Sequence, residues 1–327
     1  ELKKNILNKF ADPDFKDLMS ELKQQKKECK KILNLDTRFH YITPEQVKVI
    51  NFCENKGYDI LMLDEEIKIL NDYFPGFVSR YLNKEKNVAL VDLGVGPCVK
   101  PISIFHHLLK FSDTVEYLGV DYSKSVLEEA EKYIERPKFS FLKPKFVQLN
   151  LNGLSVNPAL LLSKIVSEQK IYLFIGSTYG NFEKEDSQKF LSAILNPGDL
   201  LIIDNETVFN REDLDSVWER YNKKIDFHLK PLYELGFSKN DFDWEYQFND
   251  STNTVEGFAT IKTIPEFLTP FIEEIGLEIG DTIKIFRARK PNPEMFKNEI
   301  KSLAKNMDIE LHTHGIYSIA LCQIKEK

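Results

Sequence analysis

Between residues 87 and 204 the chain repeats one pattern: a short, almost wholly apolar run, a polar or glycine-rich break, then a stretch with helical spacing. The runs are Asn87–Asp92, Val115–Asp121, Lys145–Asn150, Ile171–Ser177 and Asp199–Asp204. A strand with one face in water alternates apolar and polar residues. A run without that alternation suits a strand covered on both faces, as in a parallel sheet with helices on either side. Lys100–Lys110, Ser123–Ile134, Pro158–Ser167 and Lys184–Leu195 supply the crossover helices. Strand alternating with helix over this length predicts an α/β fold built on a doubly wound sheet.

The flanks read differently. Residues 1–75 look mainly helical, with helices expected over Phe15–Leu33, Pro44–Asn55 and from Asp64 towards Tyr81. After Asn205 the regularity fades. Arg211–Lys224 has helical spacing, and Phe242–Phe248, Thr254–Thr263 and Asp281–Arg289 read as strands of an antiparallel unit. A helix over Asn292–Asn306 and a closing strand, Ile316–Ile324, then return to the α/β sheet after the insertion.

Composition narrows the function classes. The net charge is −7, which argues against the basic stripe of a nucleic-acid surface. The many lysines of the first 31 residues are mixed with acidic residues, as on a solvated amphipathic helix. Cys29, Cys53, Cys98 and Cys322 form no CxxC pair, so neither a zinc site nor a disulfide framework is expected, and a reducing compartment is. His312 and His314 would share one face of a strand, but no third ligand accompanies them and no metal is expected. No 18-residue apolar run and no signal-peptide core are present. The expectation is a soluble cytoplasmic chain, a monomer without membrane or nucleic-acid partners.

The first sheet strand runs into Asp92-Leu93-Gly94-Val95-Gly96-Pro97-Cys98-Val99-Lys100. Glycines at a strand's carboxyl end let the backbone turn tightly and approach a ligand. The second strand ends at Asp121, where a carboxylate can accept hydrogen bonds from both hydroxyls of a ribose. The third ends at Asn150, placed to read an adenine edge. These positions describe an adenosine pocket. A dinucleotide fingerprint would need a third glycine where Val99 stands, and a P-loop motif is absent. S-adenosyl-L-methionine, which carries no pyrophosphate and becomes S-adenosyl-L-homocysteine on giving up its methyl group, is the adenosine cofactor these residues suit.

After the fourth run comes Gly176-Ser177-Thr178-Tyr179-Gly180-Asn181-Phe182. This segment resembles the GSTxGNF motif of the histidine-specific methyltransferases of ergothioneine biosynthesis. The glycine loop is similar to that family's GxGxxxK, with Lys100 in the lysine place, and Gly119-Val120-Asp121-Tyr122-Ser123 is similar to its xVDxS. The resemblance implies a Rossmann-like class I methyltransferase domain with a second, α+β substrate-binding domain. Residues 76–205 and 291–327 would form the first, and 1–75 and 206–290 the second. It implies cofactor contacts at Gly94, Gly96, Lys100, Asp121, Tyr122, Asn150, Leu151 and Ser177. It also implies that the substrate's amino acid group is held by Tyr41, Asn181 and Tyr221, with Tyr41 and Asn181 orienting it for catalysis and Tyr58 facing the side chain.

One departure bears on the substrate. The family reads imidazole with a Glu and a Ser in a strand resembling TExSxK, and here the corresponding positions are Phe286 and Ala288. An imidazole left without both polar partners loses about 1–3 kcal/mol for each. The expected reaction is methylation of the amino group of an amino acid or a small amino-acid derivative other than plain histidine. Three alternatives stand beside it. A methyltransferase acting on protein or RNA would need a basic funnel. A catalytically inactive relative serving as a binding module would not need the intact GxGxxxK and Asp121. A nicotinamide-dependent dehydrogenase is disfavoured by Val99.

Overall fold

The computed structural model describes residues 13–43, 46–47, 60–83, 86–96, 101–108, 110–111, 115–134, 142–304 and 306–325. In chain order the elements are α1 (Pro13–Lys27), β1 (Ile32–Asn34), α2 (Ile60–Tyr81), β2 (Val88–Leu93), α3 (Pro101–Leu108), β3 (Val115–Asp121), α4 (Lys124–Ile134), β4 (Leu142–Gln148), α5 (Ala159–Leu162), β5 (Gln169–Phe174), α6 (Lys184–Ile194), β6 (Leu200–Glu206), α7 (Arg211–Lys223), α8 (Ile225–Glu234), β7 (Phe242–Asn249), β8 (Thr254–Ile261), α9 (Thr269–Ile275), β9 (Thr282–Arg289), α10 (Pro293–Lys301), β10 (Met307–His314) and β11 (Tyr317–Ile324). They form two compact units, Glu1–Ile50 with Asp215–Arg289, and Asn51–Leu214 with Lys290–Lys327.

The larger unit carries a seven-stranded sheet in the order β10-β11-β6-β5-β2-β3-β4. The five strands from β6 to β4 pair in parallel, and β11 joins β6 antiparallel. The five parallel strands are those read from the apolar runs. Their composition follows from burial: every residue of β2 and β6 is buried, which leaves no face for the polar alternation of a half-exposed strand. The helices pack by stripes. Helix α4 buries Val126, Leu127, Ala130 and Ile134, and α6 buries Phe190, Leu191 and Ile194, the spacing that puts one helical face on the sheet. The doubly wound, Rossmann-like fold expected from the sequence is present, and β10 and β11 extend it as an antiparallel hairpin. Strand β10 falls just past the stretch read as helix Asn292–Asn306, and α10 itself ends at Lys301.

The smaller unit is α+β. Its sheet runs β1-β9-β8-β7. Helices α1, α8 and α9 supply Leu18, Leu22, Leu229, Leu232, Ile272 and Ile275 to a core shared with Ile261, Ile283 and Ile285. The helix expected over Phe15–Leu33 is shorter. It stops at Lys27, Cys29 takes the left-handed conformation with φ 55°, and Ile32–Asn34 instead adds to β9 as a parallel strand. A β-branched Ile32 beside a buried Leu33 fits a sheet edge better than a helix end.

Two further differences have a packing cause. The sequence reading grouped residues 1–75 and 206–290, whereas the compact units divide at residues 50/51, 214/215 and 289/290. Helix α2 belongs with the larger unit because it packs on α3, β10 and β11, where Phe74, Phe77 and Val78 are fully buried. The helix expected over Pro158–Ser167 is only α5, because the chain beyond it turns to Glu116 on β3. Glu116 accepts from the backbone N–H of Val166 (3.0 Å) and Ser167 (3.0 Å), the Ser167 hydroxyl (2.8 Å) and Lys145 Nζ (2.8 Å). Burial alone would raise this carboxyl, but Lys145, Ser167 and the two backbone donors hold it down at about 2.

Where the chain re-enters the larger unit, Lys290 donates to the Glu206 carboxylate and both side chains are buried. Removing one partner of such a pair leaves an uncompensated charge, at about 3–5 kcal/mol. We therefore expect Lys290→Met to lower unfolding free energy by roughly that amount in urea titration, and Glu206→Gln added to it to recover most of the loss.

Candidate active site

The order of the seven-stranded sheet reverses at β2, whose neighbours are β3 on one side and β5 on the other. The connection after β2 leads to β3 and the one after β5 leads to β6 on the other side, and the gap between β2 and β5 is where open α/β sheets take ligands. Gly94 (φ 76°) and Gly96 (φ 52°) are both left-handed, a conformation costly for residues with a Cβ. The N–H groups of Gly94 and Val95 donate to the Val120 carbonyl at 2.8 and 3.1 Å, which ties the glycine loop to the end of β3. Just before it, the buried Asp92 accepts from the Tyr117 hydroxyl at 2.9 Å.

Asp121 closes β3 beside that loop. Its carboxylate accepts from Ser123 N–H at 2.9 Å and from the backbone of Gly96 and Tyr122. Burial raises its carboxyl to about 6, against the lowering effect of those three backbone donors. Next to it, the Asp121 carbonyl accepts from Leu149 N–H (2.9 Å), and the Tyr122 carbonyl from Gln148 Nε2 (3.0 Å). Strand β4 ends at Gln148, two residues earlier than the sequence reading placed it. Asn150 follows as the cap of a short 3-10 turn, its Oδ1 accepting from Asn152 N–H at 3.0 Å, with Leu151 buried behind it. Backbone and side-chain hydrogen bonds thus tie Gly94, Gly96, Asp121 and Tyr122 to the ends of β3 and β4, and Asn150 and Leu151 follow β4 in the chain. A tight glycine turn and a half-buried carboxylate fit an adenosine and its ribose, and the described residues include no phosphate-binding glycine loop of the P-loop kind.

The GSTYGNF segment leaves β5 through two successive left-handed residues, Gly176 (φ 87°) and Ser177 (φ 58°). Their N–H groups donate to the two carboxylate oxygens of Asp204 at 2.6 and 2.7 Å, and the Tyr317 hydroxyl also donates to Asp204. Thr178 lies against Gly94: a Cβ added there would stand 3.0 Å from Thr178 Cγ2. Tyr179 points into the core and donates to Glu299 on α10 at 2.9 Å. Asn181 ends this 3-10 turn half-buried, and its carboxamide has no hydrogen-bond partner among the described residues. Asp204 and Tyr317 were not singled out from the sequence. The sole clue was a carboxylate closing an otherwise apolar run, and its phenol partner comes from a strand more than a hundred positions later.

In the smaller unit, Tyr221, Phe286, His228 and Tyr246 form an aromatic cluster. Phe286 stacks on His228 (ring centroids 4.1 Å apart, planes at 17°) and meets Tyr221 edge-on at 4.9 Å. His228 Nδ1 shares a 2.6 Å hydrogen bond with the Tyr246 hydroxyl, and that hydroxyl donates to the Tyr221 carbonyl at 3.1 Å. Burial, with His40 and Lys224 nearby, pushes the His228 imidazole well below its usual range, towards the neutral form. Gly257 makes room for this arrangement, since a Cβ there would lie 2.8 Å from the Tyr246 ring. Pairing of β8 with β9 shifts between Gly257 and Phe258, so Ile283, Ile285 and Phe286 all pack on one core, as a bulge allows. Ala288 is 3% exposed and pairs with Val255, so of the two apolar positions only Phe286 is half-open. Tyr41 sits one step away, its ring 5.8 Å from Phe227. His228 and Tyr246 went unremarked in the sequence, because nothing local marks a histidine as part of a ring cluster.

Lys100 and Tyr58 lie outside the described residues. His312 stacks on Tyr73 at 3.7 Å, and among the described residues no group of three or more His, Cys, Asp or Glu could hold a metal ion. No helix of the described residues is long and apolar enough to cross a membrane.

The raised Asp121 carboxyl has a consequence for ligand binding. If Asp121 is the ribose acceptor the sequence suggests, only its ionised form can accept from both hydroxyls, so a proton would compete with the ligand as pH falls through about 6. We expect calorimetric affinity for S-adenosylmethionine to be flat between about pH 7 and 8, then to weaken by roughly tenfold per unit below about 6. Asp121→Asn should bind more weakly and lose that step. An unchanged pH profile in the variant would separate the step from Asp121.

The sequence of the described site has relatives. A family model described as histidine-specific methyltransferase, SAM-dependent, matches residues 51–320. No curated protein matches the chain significantly. Among solved structures, the PH0226 protein from Pyrococcus horikoshii OT3 is 13% identical, with 79% of this chain and 90% of that chain covered and a TM-score of 0.43. The magnesium protoporphyrin IX methyltransferase from Synechocystis PCC 6803 with bound SAH is 11% identical, with 78% and 81% covered and a TM-score of 0.37. The family match takes in the glycine loop, Asp121, the GSTYGNF segment and the strands that carry them, and on it the chain belongs to the histidine-specific, S-adenosylmethionine-dependent methyltransferase family.

Proposed function

We propose that this methyltransferase transfers a methyl group to the amino group of an amino acid, or of a small molecule derived from one, whose side chain is more apolar than imidazole. The observation that carries the second half is Phe286. It stands where the resemblance expects a glutamate, its ring is held between His228 and Tyr221, and neither ring nor neighbour offers an imidazole a charged partner. Ala288, where a serine is expected, adds none. The family description favours histidine itself as the second reading.

The roles follow the resemblance. Gly94, Gly96, Asp121, Tyr122, Asn150, Leu151 and Ser177, with Lys100, would hold S-adenosylmethionine, whose sulfonium supplies the methyl group. Asn181, with its carboxamide uncommitted, and Tyr41 would orient the substrate's amino acid group, while Tyr221 would bind its carboxylate and Tyr58 and Phe286 would face its side chain. Methyl transfer to nitrogen is an in-line displacement, so orienting a neutral amine and excluding water are the main tasks of the protein. No strongly basic side chain is assigned to the amine, and its proton leaves to solvent before transfer.

The direct test incubates the protein with S-adenosylmethionine and each common amino acid, followed by mass spectrometry. A gain of one to three methyl groups on an apolar or aromatic amino acid is the expected result. Preferential methylation of histidine would overturn the assignment of Phe286. On the substrate so found, Asn181→Ala should lower kcat/KM by at least about a hundredfold, the range for a lost orienting contact. Phe286→Glu combined with Ala288→Ser should shift the preference ratio towards histidine by about tenfold or more, as two polar partners are restored.

A further inference from the structure

We propose that Asp204 and Tyr317 are positioning residues that hold the GSTYGNF turn in the one conformation that presents Asn181; the catalytic half of this rests on the reading of Asn181 given above. Asp204 and Tyr317 are both fully buried, on the adjacent strands β6 and β11, where Ile319 and not Tyr317 is the register partner of Asp204. The phenol therefore reaches along the sheet to the carboxylate rather than meeting it as a cross-strand neighbour. Three donors converge on one carboxylate: Gly176 N–H at 2.6 Å, Ser177 N–H at 2.7 Å and the Tyr317 hydroxyl.

The target of those bonds is a strained piece of backbone. Ser177 is one of only three non-glycine residues with positive φ among the described residues, and Gly176 before it is also left-handed. Such conformations persist only where the surroundings over-determine them. Here a carboxylate spanning two consecutive N–H groups does so, because both can point at one acceptor only when the chain bends this way. The constraint passes directly down the turn. Gly180 N–H donates to the Ser177 carbonyl at 3.1 Å, and Phe182 N–H to the Tyr179 carbonyl at 3.3 Å, so Asn181 is carried between two groups whose places depend on Ser177. The same turn sets Thr178 against Gly94. A hydrophobic residue at position 204, as at its neighbours Ile202 and Ile203, would fill the core equally well, but would leave two buried N–H groups unpaired.

The test uses the full chain carrying Tyr317→Phe, which removes one hydroxyl, and Asp204→Asn, which keeps the shape but turns a donor towards an N–H. Hydrogen exchange by mass spectrometry is followed in peptides covering residues 175–182 and, as a control, 115–121. The expected result for Tyr317→Phe is faster exchange by about tenfold or more in 175–182, as for one lost bond to a charged group, with 115–121 unchanged. On the amino acid that accepts methyl groups, kcat should fall by about tenfold while KM for S-adenosylmethionine stays within about twofold. Asp204→Asn should move both readouts further in the same direction. If it does not fold, Tyr317→Phe decides alone. Unchanged exchange in 175–182 would overturn the anchoring. Faster exchange with unchanged turnover, where Asn181→Ala remains damaging, would overturn the positioning role. If Asn181→Ala is also harmless, the reading of Asn181 fails while the anchoring stands.

Discussion

The larger unit depends on the reversal of strand order at β2. A parallel sheet has all its carboxyl ends on one edge. At the reversal the connections on that edge leave in opposite directions, which opens a gap between them. In this chain hydrogen bonds tie the loops on that edge: Gly94 and Val95 share the Val120 carbonyl, Asp121 gathers the N–H of Ser123, and Asp204 gathers those of Gly176 and Ser177. Backbone N–H groups that cannot join a ladder must find another acceptor, and here carboxylates at strand ends provide two of them.

The carboxylates of β3 play different parts. Glu116 is held down at about 2 by Lys145, Ser167 and backbone donors despite its burial and fastens the loop after α5. Asp121 is raised to about 6, because burial there outweighs a small set of backbone donors.

In the smaller unit the physics is of rings rather than charges. His228, Tyr221, Tyr246 and Phe286 stack and meet edge-on, and one hydrogen-bond chain runs from His228 through the Tyr246 hydroxyl to the Tyr221 carbonyl. A neutral imidazole suits this setting, since protonation would place a charge among apolar rings. The shift in pairing at Gly257/Phe258 and the missing Cβ of Gly257 let Phe286 join that face instead of pointing away from it.

Some of this was legible from the residues. The apolar runs fixed five parallel strands, because strands buried on both faces carry no polar alternation. The glycine spacing and Asp121 indicated the adenosine cofactor, because a tight turn and a carboxylate at a strand end are local requirements. The short strand β1, the division at residue 50/51, the ring cluster and the anchor at Asp204 were not legible. Each depends on a partner far away in sequence: β1 on β9, α2 on β11, Phe286 on His228, Asp204 on Tyr317. Sequence pattern records what a residue needs from its own segment, so it determined the doubly wound sheet and the glycine–aspartate corner. Only the tertiary structure decided which distant groups meet, because hydrogen bonds and ring contacts across strands are set by register and packing, which no single segment encodes.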